Sequence, residues 1–105
     1  MANVEYSNAA IVDLEQIGDY ISQELHSPQA AYNTVTEIQD SIDNLKMFPQ
    51  MGALLSSIVD INTDYRFLVC GNYLAFYRTN EKEVFIDRII YGKRDYMAIL
   101  FGAMY

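Results

Sequence analysis

Ile11, Leu14, Ile17, Ile21 and Leu25 recur at spacings of three and four, the signature of one apolar stripe on an amphipathic helix. The pattern predicts a helix over residues 8–25. Ser7 or Asn8 stands where an N-cap is needed. Ser27-Pro28 is a stop-and-restart signal, with the serine as cap and the proline at the first helical position. Ala31, Val35, Ile38, Ile42 and Leu45 then repeat at 4-3-4-3, predicting a second helix over 28–47. The short link makes the two an antiparallel hairpin. Before them, Asn3–Tyr6 reads as a short strand.

The period changes near residue 64. Three segments, about 64–70, 73–79 and 83–91, read as a strand meander with turns at Gly71-Asn72 and Asn80-Glu81. In the third, Val84, Ile86, Arg88 and Ile90 alternate with Phe85, Asp87, Ile89 and Tyr91, and both sets are largely apolar. That predicts a central strand with helices on one face and a partly covered second face. Residues 52–63 carry no clear period and read as irregular or as a loose helical turn. Asp95 is placed to cap a last short helix over 96–104. The order β-α-α-β-β-β-α is an α+β domain: a helical hairpin packed on an antiparallel sheet, with a short C-terminal helix. The length of 105 residues corresponds to one domain over 1–105, and 51% hydrophobic residues suffice for a core.

Charge is unevenly spread over this frame. The net charge is −7. Residues 1–45 contain eight acids and no Lys or Arg, whereas residues 46–105 contain six acids and seven bases. An acidic protein repels phosphate at long range, so binding to free nucleic acid is expected to be weak or absent. The single cysteine, Cys70, lies in the apolar run Phe67-Leu68-Val69-Cys70 and reads as a small buried hydrophobe in a reducing cytoplasm. One His and one Cys give no zinc pattern, and no phosphate-cradling glycine loop is present, so neither metal nor cofactor is expected. His26, the only histidine, is accounted for by its place at a helix end. The start of the chain has no signal-peptide pattern and no apolar run is long enough to span a membrane.

The candidate chemistry lies in the meander. Arg66, Arg78 and Arg88 are on its strands, and Lys93 and Arg94 are in the turn after it. Antiparallel strands can bring such cations to one face, where they would hold a phosphate or an acidic partner. Tyr73, Tyr77, Tyr91 and Tyr96 add rings able to stack on bases. The plain alternative is equally physical: cations paired with nearby carboxylates, and tyrosines in the core with hydroxyls at its rim.

Several pieces of the chain, in order, resemble the RelE/ParE superfamily of bacterial toxins. They are Tyr6-Ser7-Asn8 with Asp13-Leu14, Ile17 and Tyr20-Ile21; Leu45, Phe48-Pro49 and Gly52; Tyr65-Arg66-Phe67-Leu68; Tyr73-Leu74-Ala75-Phe76-Tyr77-Arg78; Val84-Phe85-Ile86; and Tyr91-Gly92-Lys93-Arg94-Asp95. The resemblance implies the toxin of a type II toxin–antitoxin, plasmid stabilisation-like module, cytoplasmic and neutralised by a cognate antitoxin. It implies one of two targets. RelE-like members cut mRNA in the ribosome, using a lysine pair on the first sheet strand, an arginine beginning the next, a basic turn residue and a C-terminal tyrosine or histidine. ParE-like members bind DNA gyrase and poison it without being nucleases.

At the RelE-like positions this chain has Arg66 with Leu68, Leu74 after Tyr73, and Leu100 near the expected tyrosine; the turn cations Lys93 and Arg94 are kept. A nuclease would therefore have to use Arg66, Tyr91, Lys93, Arg94 and Tyr96. Lacking a proton-transferring side chain costs such a reaction roughly 10²–10⁴-fold. The ParE-like reading is favoured, with Arg66, Arg78, Arg88, Lys93 and Arg94 facing the target or the antitoxin. A third reading is a non-toxic interaction module built on the same domain.

Overall fold

The computed structural model describes residues 1–102. Strand β1 (Asn3–Tyr6) leads into helices α1 (Asn8–Glu24) and α2 (Pro28–Asp43). A two-residue strand, β2 (Ala53–Leu54), precedes the meander β3 (Arg66–Cys70), β4 (Tyr73–Thr79) and β5 (Glu83–Tyr91), and α3 (Tyr96–Phe101) follows. The expected caps are in place. Ser7 Oγ accepts from the Ala10 N–H at 2.9 Å, Ser27 Oγ from Ala30 at 3.1 Å and Asp95 Oδ1 from Ala98 at 3.1 Å. Ser7 Oγ also donates to the Asp87 carbonyl at 2.7 Å, which ties the start of α1 to β5.

Three boundaries differ from the sequence reading. Helix α2 stops at Asp43 rather than 47, because the chain tightens into a 3₁₀ turn over Asn44–Lys46 ahead of Phe48-Pro49. The region left unassigned supplies β2 and a second 3₁₀ turn, Leu55–Ser57. Helix α3 ends at Phe101, with Gly102 at φ 78° as its cap; the remainder of the expected 96–104 helix lies outside the described residues.

The sheet order is β1-β5-β4-β3-β2. The meander is antiparallel, as its short turns require, but β1 pairs parallel with β5, so the five-stranded sheet is mixed rather than wholly antiparallel. The helical hairpin provides the long crossover that a parallel pair needs. It also covers one face of the sheet, where Ala10, Leu14, Ile38, Ile42, Leu45, Tyr77 and Ile86 are buried. On the other face α3 and the 55–61 segment enclose a second core around Leu55, Phe76, Ile90 and Met97.

The expected strict alternation of β5 fails in its middle. Phe76 pairs with Arg88 but Tyr77 pairs with Ile86, which leaves Asp87 as an extra residue in a β-bulge. Past the bulge the faces exchange. Ile89 joins Val84 and Ile86 beneath the helices, and Ile90 joins the second core.

Candidate functional site

The carboxylate of Asp13 is the least expected feature of α1. Its residue is buried on the apolar side of the helix, next to Leu14. It accepts from Arg88 Nε at 2.8 Å and Nη2 at 2.9 Å, and from the Ile89 N–H at 2.9 Å. The bond to Ile89 falls where β5 has run beyond the end of β1, so that on this side, away from β4, its backbone has no neighbouring strand. Asp13 thus substitutes for the missing strand, and Arg88 supplies the charge that makes a buried carboxylate tolerable. The paired carboxylate raises the Arg88 guanidinium pKa further. Arg88, expected to face a target, is committed to the fold.

Arg66 and Arg78 are committed as well. Arg66 Nη1 donates to the carbonyls of Gly52 (2.8 Å) and Gln50 (3.3 Å). It works beside Tyr77, whose buried hydroxyl donates to the Pro49 carbonyl at 2.8 Å and accepts from the Gly52 N–H at 2.9 Å. These two side chains pin the loop that precedes β2. Arg78 lies over the ring of Tyr65 with its guanidinium carbon 4.6 Å from the centroid, and its Nη2 donates to the Tyr65 hydroxyl at 3.0 Å. That hydroxyl donates in turn to Asp87 at the bulge. Burial, then the bond to Asp87, pushes the Tyr65 phenol above its ordinary range.

The expected gathering of cations on one face therefore does not occur. Arg66 and Arg78 stand near the end of β4, whereas Lys93 and Arg94 follow β5 at the opposite end of the sheet, roughly 17 Å away at strand rise. Adjacent pairing positions also direct them apart: Arg66 pairs with Tyr77, which belongs to the helix-side core, and Arg78 is its neighbour on the strand.

A groove of about 450 Å³ opens at the Lys93–Arg94 end, between the second half of α1 and the sheet. Gln16, Ile17 and Tyr20 form its helical wall, Tyr73 and Tyr91 its sheet wall, and exposed Arg94 its rim. The Tyr73 and Tyr91 rings meet edge to face at 5.7 Å. Tyr20 and Tyr91 are exposed. Burial and the neighbouring tyrosines raise the Tyr73 phenol. The sequence reading gave no site role to Gln16, or to Tyr20, which it used only as part of the family resemblance; both reach the site through the packing of α1 on the sheet.

The remaining candidates are placed differently. Tyr77 is fully buried and Tyr96 packs against Phe76 at 5.2 Å, so neither ring is free to stack on a base. Leu74 of β4 and Leu100 of α3, which stand where the nuclease class has polar groups, pack against the second core. Tyr91 and Arg94 are the exposed members of the expected set that line this groove, and exposed Lys93 precedes Arg94 in the turn. An exposed guanidinium beside three phenol rings can hold a carboxylate or an aromatic side chain of a partner protein. It offers no pair of groups set to take and return a proton. Among the described residues no group of His, Cys, Asp and Glu is arranged to hold a metal ion, and no helix is long and apolar enough to cross a membrane.

Residues 4–96 match the family model described as the ParE toxin of the type II toxin–antitoxin system parDE. Among solved structures, a chain from the chromosomal ParDE toxin–antitoxin system of P. aeruginosa superposes with a TM-score of 0.72 at 27% identity, covering 87% of this chain and 96% of that one. YafQ from E. coli strain BL21(DE3) aligns over 97% of this chain and 100% of its own at 16% identity, but its TM-score of 0.48 is too low to bear on function. No curated protein sequence matches the chain.

Proposed function

The chain belongs to the ParE toxin family of type II toxin–antitoxin systems, and from this premise we propose that it arrests growth in the cytoplasm by engaging a protein target, DNA gyrase, rather than by cutting ribosome-bound mRNA. A cognate antitoxin is the partner that neutralises it. The observation that carries the choice of mechanism is the fate of the nuclease positions. Leu74 and Leu100 are packed in apolar surroundings, and Arg66 is bound to the loop before β2. A phosphodiester held at this face would meet no acid–base pair. The target-facing surface is the groove rimmed by Tyr20, Tyr91 and Arg94, with Lys93 beside it.

The experiment is a supercoiling assay with purified gyrase and the purified full chain. Wild type inhibits supercoiling, and Arg94→Ala inhibits it less while keeping the wild-type circular dichroism spectrum. Growth arrest in cells without any effect on gyrase in this assay would overturn the proposed target. Absence of growth arrest on expression without antitoxin would favour a non-toxic interaction module.

A further inference from the structure

The loop between the 3₁₀ turn at Asn44–Lys46 and β2 presents Met47, Phe48 and Met51 to solvent, 62%, 63% and 46% exposed. It is a braced turn. The Met51 N–H donates to the Phe48 carbonyl at 3.0 Å, and the Phe48 N–H donates to the Asn44 carbonyl at 3.0 Å. From the sheet, the fully buried Tyr77 hydroxyl bridges the Pro49 carbonyl and the Gly52 N–H, while Arg66 donates to the carbonyls of Gln50 and Gly52. The sheet therefore holds Phe48 and the two methionines outward in a fixed conformation. Single exposed apolar residues are ordinary, but three on one braced turn form an interaction surface. Because the turn is already ordered, covering it costs little further conformational freedom.

Charge and shape select the occupant. Residues 47–59 are the longest run of the chain without Asp, Glu, Lys or Arg. With a net charge of −7, two copies repel each other across their charged faces, so self-contact is favoured only where the surface is uncharged. The same turn also carries its own receptor. A hollow of about 690 Å³ lies beside the Phe48 ring, lined by Met47, Pro49, Gln50 and Met51, with Glu81 of the β4–β5 turn at its wall and bonded to Gln50 at 3.4 Å. A patch with both a projecting ring and an adjoining hollow is self-complementary across a twofold axis. Methionines suit such a contact because their unbranched side chains adapt to an incoming ring. A phosphate-bearing surface, whether membrane or nucleic acid, is repelled by the net charge and meets Lys46 already paired with Asp43 at 3.4 Å.

We propose that two copies of the chain associate through the Met47–Met51 turn, the Phe48 ring of each entering the hollow beside Met47 and Met51 of the other. The contact is isologous and closes at two copies. It does not depend on gyrase being the target. The turn that carries Glu81 joins β4 to β5 at one end of the sheet, and Tyr73 pairs with Tyr91 at the other. The pair of copies therefore keeps both Tyr91–Arg94 grooves open.

The test is analytical ultracentrifugation of the purified full chain over about 1–100 μM. Wild type passes from monomer to dimer within this range and forms nothing larger. Raising salt from about 0.05 to 0.5 M strengthens the dimer, because it screens the repulsion between two acidic chains without weakening an apolar contact. Phe48→Glu and Met51→Glu each weaken the dimer at least about tenfold while keeping the wild-type circular dichroism spectrum, since both side chains are exposed. Tyr32→Glu, on the helical hairpin and 67% exposed, leaves the dimer unchanged and serves as the control. A wild type that stays monomeric throughout the range overturns the proposal. So does a dimer unchanged in both Phe48→Glu and Met51→Glu, a dimer that Tyr32→Glu dissociates, or one that salt weakens.

Discussion

A buried carboxylate is tolerated in this fold only because its oxygens are fully engaged. Asp13 receives two bonds from Arg88 and one from the Ile89 backbone. Asp13→Ala leaves a guanidinium and an N–H without partners, and we expect a loss of about 2–3 kcal/mol. Thermal unfolding should record it as a fall in Tm of roughly 10 °C or more. Arg94→Ala, on an exposed turn residue, should cost under about 0.5 kcal/mol. Comparing the two variants separates a fold cation from a surface cation.

Cys70 gives a prediction in pH. Burial pushes its thiol up to about 11 from an ordinary value of 9.0, and burial likewise raises Tyr6 to about 12 from 10.0. A raised folded-state pKa means that the unfolded chain releases its proton first as pH rises. Stability from these groups is complete below pH 9.0 and declines between 9.0 and 11 for the thiol, and between 10.0 and 12 for the phenol. Urea midpoints should fall from about pH 9 upward, and Cys70→Ala should delay the onset to about pH 10.

Elements were legible where a single period runs unbroken. The apolar stripes of α1 and α2, the serine caps and the two meander turns all lie in local sequence. What failed to show was non-local. Nothing around Asn3–Tyr6 states that β1 pairs with β5 across the whole hairpin, or that it does so in parallel. The bulge at Asp87 was hidden because both faces of β5 are apolar, so a one-residue shift leaves the hydrophobic pattern unchanged. The site was less legible than the fold for a related reason. Chain order places Arg66, Arg78 and Arg88 in one cationic segment, but whether a cation is free depends on partners such as Asp13, Gly52 and Tyr65 that strand and helix packing supplies.

Two substitutions test the joints between elements. A Cβ on Gly52 would stand 2.7 Å from both the Phe67 carbonyl oxygen and the Tyr77 ring. Backbone cannot yield as a flexible side chain can, so Gly52→Ala should cost about 1–3 kcal/mol in chemical denaturation. His26 links the helices with φ 48°, in the left-handed region that glycine occupies freely. His26→Gly should raise stability by about 0.5–1 kcal/mol in the same measurement.

At the scale of the whole molecule the acidic helical hairpin and the cationic strand-end turn are separate features. The turn cations sit at one end of the sheet, and the acids dominate the helices that cover it. Long-range repulsion of phosphate follows from a net charge of −7, and free RNA or DNA should show no mobility shift at about 0.15 M salt.

The central claim is that this ParE-family chain acts without cleaving RNA. It is tested most directly by primer extension on cellular mRNA after the chain is induced without antitoxin. The account predicts growth arrest with no cuts above the uninduced background. Discrete cuts within translated codons that vanish in Arg94→Ala would contradict it and make the protein a ribosome-dependent endoribonuclease.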